Sequence, residues 1–172
     1  MTRNVLILCG PQGAADLAAR LAAEAGDDLG LVNTRIDPKQ VKSSGCRIEA
    51  EREYGGLTLA TFDEPLDVGA AIAQLVGHAD AVVIDRLDDW AGRLLGHFEK
   101  DVQAAVESAL TSVASVMKAQ LGDLILLVHP PAAAADAQGR LTQEMIERFR
   151  PLCELVVDAR QDIGQKSRSS PR

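Results

Sequence analysis

Short apolar segments alternate with longer amphipathic segments along this chain. Several of the apolar segments contain almost only Val, Ile, Leu and Ala, which is typical of strands that are buried on both faces of a sheet. We predict six strands, over residues 5–9, 30–33, 57–62, 81–85, 124–129 and 155–158.

Apolar residues recur at helical spacing in the segments between these strands. We predict helices over residues 14–25, 66–76, 100–121 and 142–149. The clearest is the third, in which Val106, Leu110, Val113 and Met117 share one face. Alternating strands and helices predict an α/β fold with a mostly parallel sheet and helices on both faces, which is a three-layer sandwich.

The loop after the first predicted strand has the position of a phosphate-binding loop. Backbone N–H groups between a strand and a helix commonly bind phosphates, and a working P-loop ends in Gly, then Lys, then Ser or Thr. Here Ala14 and Ala15 follow the last glycine. We predict a P-loop NTPase-like sandwich that lacks these side chains, and a tight turn is the alternative. The candidate nucleotide-binding residues are Gly10, Pro11, Gln12 and Gly13.

Composition narrows the possible partners. The chain has 172 residues and a formal net charge of −7, which disfavours general binding to nucleic acid or to anionic membranes. Aromatic residues make up only 3% of the chain, so we do not expect a base-stacking surface. No apolar segment is long enough to span a bilayer, and we expect a cytoplasmic protein. We predict one domain over residues 1–164 and a flexible tail over residues 165–172.

Acidic residues follow the fourth predicted strand. Asp85 is a candidate magnesium ligand that would act on the metal ion of a nucleotide through water, as a Walker-B carboxylate does. Asp88 and Asp89 are more simply interpreted as part of a solvated acidic loop, in which one of them caps the following turn. His129 lies at a strand end, but no Ser or Cys nucleophile accompanies it. Trp90 is expected in the core.

Three segments occur in the order and spacing of a known enzyme family. They are Thr61-Phe62-Asp63-Glu64-Pro65-Leu66-Asp67, Ala81-Val82-Val83-Ile84-Asp85-Arg86-Leu87-Asp88-Asp89-Trp90 and Leu94-Leu95. With the preceding loop they resemble the bifunctional adenosylcobinamide kinase/adenosylcobinamide-phosphate guanylyltransferase family over residues 4–128. The resemblance implies a P-loop fold, commonly a trimer, and two steps of vitamin B12 nucleotide-loop assembly. The family phosphorylates adenosylcobinamide and then transfers GMP from GTP through a guanylylated histidine.

The functional positions of that family are replaced in this chain. Its Gly-Lys-Ser corresponds to Gly13, Ala14 and Ala15, and its guanylylated histidine falls near Glu51, with no histidine before residue 78. Its segment after the fifth strand is replaced by Val128-His129-Pro130-Pro131. The catalytic residues therefore stay unassigned.

The resemblance leads to one prediction about function. Only Asp85 keeps a catalytic-type position, so we predict a non-catalytic homologue, or pseudoenzyme, linked to cobalamin biosynthesis. Its ligand would be a nucleotide, GTP or ATP with Mg²⁺, or a corrinoid, and by the same resemblance it would form a homo-oligomer.

Two alternatives stay open. An active adenosylcobinamide kinase/guanylyltransferase with relocated groups would bind phosphate at residues 10–13 and metal at Asp85, and would recruit a lysine from another segment or subunit. A structural or interaction protein would instead keep the family's oligomer surface and have an empty cleft. Thermal stabilisation by nucleotide separates the binding hypotheses from the structural one.

Overall fold

A computed structural model describes residues 2–35 and 50–160 of the chain. Within these residues the chain forms a seven-stranded sheet and five α-helices. In chain order the elements are β1 (Asn4–Leu8), α1 (Ala15–Ala23), β2 (Leu29–Asn33), β3 (Ala50–Tyr54), β4 (Leu57–Asp63), α2 (Val68–Leu75), β5 (Ala81–Asp85), α3 (Leu87–His97), α4 (Val102–Ala119), β6 (Asp123–Val128), α5 (Ala137–Phe149) and β7 (Leu155–Asp158). A 3₁₀ turn, Arg150–Leu152, links α5 to β7.

The sheet is parallel except at one edge. Its strand order is β3-β4-β2-β5-β6-β1-β7, and only β3 pairs with its neighbour in the antiparallel sense among the described strands. The chain that leaves β1 must pass β6 and β5 before it enters the sheet again as β2. Because β1, β2, β5 and β6 run parallel, their carboxyl ends lie at the same end of the sheet, where ligands bind in open parallel sheets. This end is called the carboxyl edge, as distinct from the lateral edge formed by β3.

Alternate side chains of the central strands enter two apolar layers, one on each face of the sheet. Val5 and Ile7 of β1 pack in the layer that contains Ala18 of α1. Leu6 and Leu8 pack in the layer formed with helices α2 to α5. Successive strand residues point to opposite faces, so a strand covered on both sides must be apolar throughout. The predicted α/β sandwich with helices on both faces is confirmed.

The six predicted strands all occur, with ends within one residue of the prediction. The strand β3 was missed because its residues are mostly polar and lie at the sheet edge, where no apolar pattern is needed. The helix α5 begins five residues before the predicted start at residue 142. Asp136 explains this difference, because its side chain accepts a 2.7 Å hydrogen bond from the Gly139 N–H and caps the helix.

The interpretation of Asp88 and Asp89 as loop residues was wrong. Both lie in the first turn of α3, where carboxylates interact favourably with the helix dipole. Trp90, in the same turn, is fully buried as predicted, and its indole N–H donates to the Leu66 carbonyl at 3.0 Å. This bond ties α3 to the segment that precedes α2.

Some predictions fall on residues that the structure does not describe. The tail at residues 165–172 lies outside the described ranges. Among the described helices, none combines the length and the apolar character needed to cross a membrane.

The turn of the β3–β4 hairpin packs against the first turns of α1. Gly55 has a φ of +55° and Gly56 a φ of +84°, both in the left-handed region. A Cβ on Gly55 would meet the carbonyl oxygen of Ala15 and would lie 2.7 Å from the Cβ of Ala19. The hairpin can approach α1 closely because the residues in contact, Gly55 on the turn and Ala15 and Ala19 on the helix, are small. This contact brings Tyr54 close to the β1–α1 loop.

The two glycines of this turn give a matched test of the contact. We expect Gly55→Ala to lower the free energy of unfolding by about 2–4 kcal/mol, from left-handed strain and overpacking together. Gly56→Ala should cost only about 1–2 kcal/mol, because nothing lies within 4 Å of its Cβ position. Urea denaturation measures both values, and equal losses would contradict the packing described.

Candidate functional site

Four strands bring polar side chains together at the carboxyl edge of the sheet. A cavity of about 220 Å³, here called the edge cavity, lies between the β1–α1 loop and the ends of β2, β5 and β6. Its lining residues are Pro11, Gln12, Gly13, Ala14, Ala15, Arg35, Tyr54, Asp85, Arg86, Leu127 and His129. Three of the four predicted loop residues thus share one cavity with Asp85 and His129.

A second cavity lies on the other side of the same loop. It measures about 490 Å³ and is here called the loop cavity. It is lined by Gly10, Gln12, Gly13, Ala14, Ala15, Asp16, Leu17, Arg20 and Ala159. Small-molecule sites commonly occupy about 300–1,000 Å³. The loop cavity falls within this range, whereas the edge cavity is smaller and has the size for part of a ligand, such as a phosphate group.

The loop itself is a tight turn. The Gly13 N–H donates to the Gly10 carbonyl at 3.0 Å, and Gly13 has a φ of +76°. Two residues separate these glycines, whereas a phosphate-binding loop has four between its glycines. Ala14 stands at the N-cap of α1, and no side chain of the described residues caps that helix. The loop is shorter than a P-loop, but Ala14, Ala15 and Asp16 at the start of α1 line the loop cavity, and no side chain of the described residues caps their N–H groups.

Asp85 ends β5 and is half-buried beside Tyr54. The Tyr54 hydroxyl donates a long hydrogen bond of 3.4 Å to Asp85 Oδ1. Burial raises the pKa of the Asp85 carboxyl, and the positive charges of Arg35 and Arg86 oppose this rise. Burial and the nearby Asp85 charge also raise the pKa of Tyr54, so its phenol stays protonated and acts as the donor.

Asp88 holds Arg86 in place. Arg86 Nη2 lies 2.7 Å from Asp88 Oδ2, and the Nε lies 3.2 Å from both carboxylate oxygens. Asp88 Oδ1 also accepts from the His129 N–H at 3.0 Å, and the Asp88 carbonyl accepts from Gln138 Nε2 at 2.9 Å. Burial opposes ionisation of Asp88, but the hydrogen bonds from Arg86 and His129 outweigh it and lower its pKa. Asp88 therefore joins the starts of α3 and α5 to the end of β6.

The second arginine of the edge cavity follows β2. Arg35 Nε lies 3.1 Å from Asp89 Oδ2, and Asp89 also lies 3.3 Å from Arg86 Nη2. Two guanidinium groups thus share the edge with the three carboxylates of Asp85, Asp88 and Asp89. Burial, and then the charge of Arg86, lower the pKa of the half-buried His129, which favours its neutral form.

These residues do not fit a nucleotide with its magnesium ion. The lysine and the hydroxyl of a P-loop are replaced by Ala14 and Ala15, and Asp85 faces a phenol. Within the described ranges, no group of three His, Cys, Asp or Glu residues could hold a metal ion. The magnesium role of Asp85 stays a prediction, and we derive no step through a metal.

No protein-family model matches the chain, and no curated protein matches it. Among solved structures, the chain is similar to the KaiC-like protein PH0186 from the hyperthermophilic archaeon Pyrococcus horikoshii OT3, with a TM-score of 0.53. The alignment covers 91% of this chain and 71% of that chain, at 18% sequence identity. At this identity the likeness shows the fold alone. It supports the α/β fold, and the resemblance to the cobinamide kinase family with its P-loop stays a prediction.

Sequence reasoning missed three residues of the edge cavity. Arg35 and Arg86 each lie just beyond the end of a predicted strand, and this position was the signal that could have found them. Tyr54 reaches Asp85 only because the hairpin packs on α1, and no local pattern shows that path. Glu51, the residue nearest to the family's guanylylated histidine, is exposed on β3 and does not line the edge cavity.

The anchoring role of Asp88 can be tested against its neighbour. We expect Asp88→Asn to lower the free energy of unfolding by about 1.5–3 kcal/mol, because it weakens charged hydrogen bonds. Asp89→Asn should cost less than about 1 kcal/mol, because its side chain is 32% exposed, against 13% for Asp88.

Acid should remove the difference between these two variants. The pKa of Asp88 is lowered on folding, so its contribution is complete above its ordinary pKa of 3.8 and is lost as the pH falls through the folded value. Urea denaturation at neutral and acidic pH measures this change. A difference that persists in strong acid would contradict an ionic anchor.

Proposed function

We propose that this chain binds a phosphorylated small molecule, of the class to which ATP and GTP belong, and does not catalyse phosphoryl transfer. The observation that carries the proposal is the edge cavity. There the β1–α1 loop of a P-loop-type fold faces Arg35 and Arg86 from two other strand ends.

Three features support binding. The cavity lies beyond the carboxyl ends of parallel strands, which is the usual ligand position in this fold class. The helix α1 starts directly after the loop and has no side-chain cap among the described residues, and helix N-termini favour anions. Guanidinium groups match the geometry of phosphate oxygens and are the side chains most suited to bind them.

Two features support the absence of phosphoryl transfer. Ala14 and Ala15 supply neither a cation nor a magnesium-binding hydroxyl. Loss of one group that stabilises the transition-state charge commonly costs about 10²- to 10³-fold in rate. The loop is also two residues shorter than a P-loop, so the remaining backbone does not form the full cradle around the phosphates.

The resemblance to the adenosylcobinamide kinase/guanylyltransferase family adds a pathway to this proposal. On that basis the chain is a non-catalytic homologue linked to cobalamin biosynthesis, and a corrinoid is the second ligand to test. An active transferase and an interaction protein with an empty cleft are the competing functions.

Ligand binding is expected to stabilise the full chain. We expect GTP or ATP to raise the melting temperature and guanosine or adenosine, which lack phosphates, to leave it unchanged. A ligand at 100 times its Kd adds about 2.7 kcal/mol to the free energy of unfolding. Differential scanning fluorimetry measures the shift, with adenosylcobinamide titrated in parallel.

The outcomes separate the three functions. No shift with any nucleotide or with adenosylcobinamide would overturn the binding proposal and favour an interaction protein. Transfer of labelled GMP to the protein, or hydrolysis of GTP, would instead establish an active enzyme.

Restoring the missing side chains is not expected to restore catalysis. The double variant Ala14→Lys with Ala15→Ser should show no hydrolysis of ATP or GTP with Mg²⁺, because the short loop cannot place the new lysine over the phosphates. Gln12→Lys adds one positive charge elsewhere in the loop. It is the matched control that separates a gain in nucleotide affinity caused by added charge alone from an effect of the lysine at residue 14. Phosphate release measures hydrolysis, and turnover by the double variant would show that the loop retains P-loop geometry.

A further inference from the structure

Arg86 lines the edge cavity together with the β1–α1 loop, which has no lysine. We infer that Arg86 recognises the phosphate group of the ligand and that this recognition needs no divalent cation, because the Tyr54 hydroxyl already contacts the carboxylate of Asp85, the candidate magnesium ligand. The inference rests on the proposed function and specifies the chemistry of its site.

The first argument is the position of Arg86. It follows β5 directly, has φ 62° and ψ 68°, and lines the edge cavity together with Gly13 and Ala14. A left-handed backbone is unfavourable for a side chain such as arginine, and residues held in such conformations cluster at functional sites. The turn at Arg86 brings its side chain into the cavity that the loop forms.

The second argument is the way in which its donors are used. Asp88 and Asp89 accept from Nε and Nη2 of Arg86, and no described residue accepts from Nη1. A guanidinium group has five N–H donors in a fixed plane, so two carboxylates on one side leave donors on the other side for a ligand. Because Asp88 already fixes the side chain, binding restricts it less than it would restrict a free arginine.

The charges around the edge cavity decide whether a phosphate is attracted by long-range electrostatics or by short-range hydrogen bonds. The three carboxylates at this edge outnumber the two guanidinium groups of Arg35 and Arg86, so the cluster has no net positive charge that would attract a phosphate from a distance. Recognition must therefore come from directed hydrogen bonds at short range, and Arg86, the better-held guanidinium, has to supply them. Arg35 contacts the same Asp89 as Arg86 and is more exposed, at 55% against 27% for Arg86.

The third argument concerns Asp85. A Walker-type carboxylate reaches magnesium through water and needs an open face toward the nucleotide. Here the Tyr54 phenol lies 3.4 Å from Oδ1, and Gly55 packed on α1 fixes the hairpin that carries it. A neutral donor thus contacts the carboxylate that would hold the cation, and Tyr54 and Asp85 both line the cavity.

Calorimetric titration of the full chain tests the cation requirement. The probes are GTP, ATP and inorganic tripolyphosphate, each in EDTA and in excess Mg²⁺. We expect the Kd of the wild type in EDTA to lie within about threefold of its value in Mg²⁺, a difference smaller than the loss of one hydrogen bond. Binding that disappears in EDTA would overturn the inference and leave the proposed function intact. No binding in either buffer would overturn the proposed function itself.

Substitution of Arg86 tests which side chain recognises phosphate. Arg86→Gln should raise the Kd by about tenfold or more, as expected for a lost charged hydrogen bond. Arg148→Gln removes the same charge from a surface pair with Glu107, outside the edge cavity, and should leave the Kd unchanged. An unchanged Kd in Arg86→Gln would overturn the role of Arg86.

Arg86→Lys covers the case in which Arg86→Gln fails to fold. It keeps the charge beside Asp88 but removes the planar set of donors, so we expect a Kd raised by about threefold or more in a folded protein. Circular dichroism checks the fold of each variant. A wild-type Kd in folded Arg86→Lys would show that charge alone is sufficient and would overturn recognition by directed donors.

Discussion

Burial of the central strands on both faces is the constraint on which the rest of the structure depends. In β1, β5 and β6 almost every side chain is enclosed, so these strands contain mainly Val, Ile, Leu and Ala. Polar groups can therefore stand only where a strand begins or ends. Asp85, Arg86 and His129 meet because parallel strands end at one edge of the sheet, and the packing of the core thus determines where ligand chemistry can occur.

The polar contacts at this edge form one connected arrangement. Asp88 binds Arg86 and the backbone of His129, while Tyr54 faces Asp85. The glycine turn of the β3–β4 hairpin completes it, because it packs on the small residues at the start of α1. Compared with a P-loop, the loop has no lysine, an arginine follows the strand β5, and a phenol lies beside the acidic residue. The same scaffold can thus present different chemistry to a ligand.

Much of the fold could be predicted because apolar periodicity is a local signal. The central strands and the helix α4 follow directly from it, and their ends differ from the prediction by only one or two residues. The failures have local reasons as well. The strand β3 is polar and lies at an edge, and α5 begins early because Asp136 caps it. At the site, the loop and Asp85 were visible from their positions after strands, whereas Tyr54 was not.

The sequence by itself determined the α/β class, the apolar central strands and the absence of a lysine after Gly13, because each depends on the order of neighbouring residues. Only the tertiary structure decided which side chains meet at the carboxyl edge. Arg86 and Asp88 are close in sequence, but their partner His129 lies 41 residues beyond Asp88, and Tyr54 lies 31 residues before Asp85. Such contacts depend on strand order and on the packing of the hairpin, which are set by burial across the whole sheet and leave no local pattern.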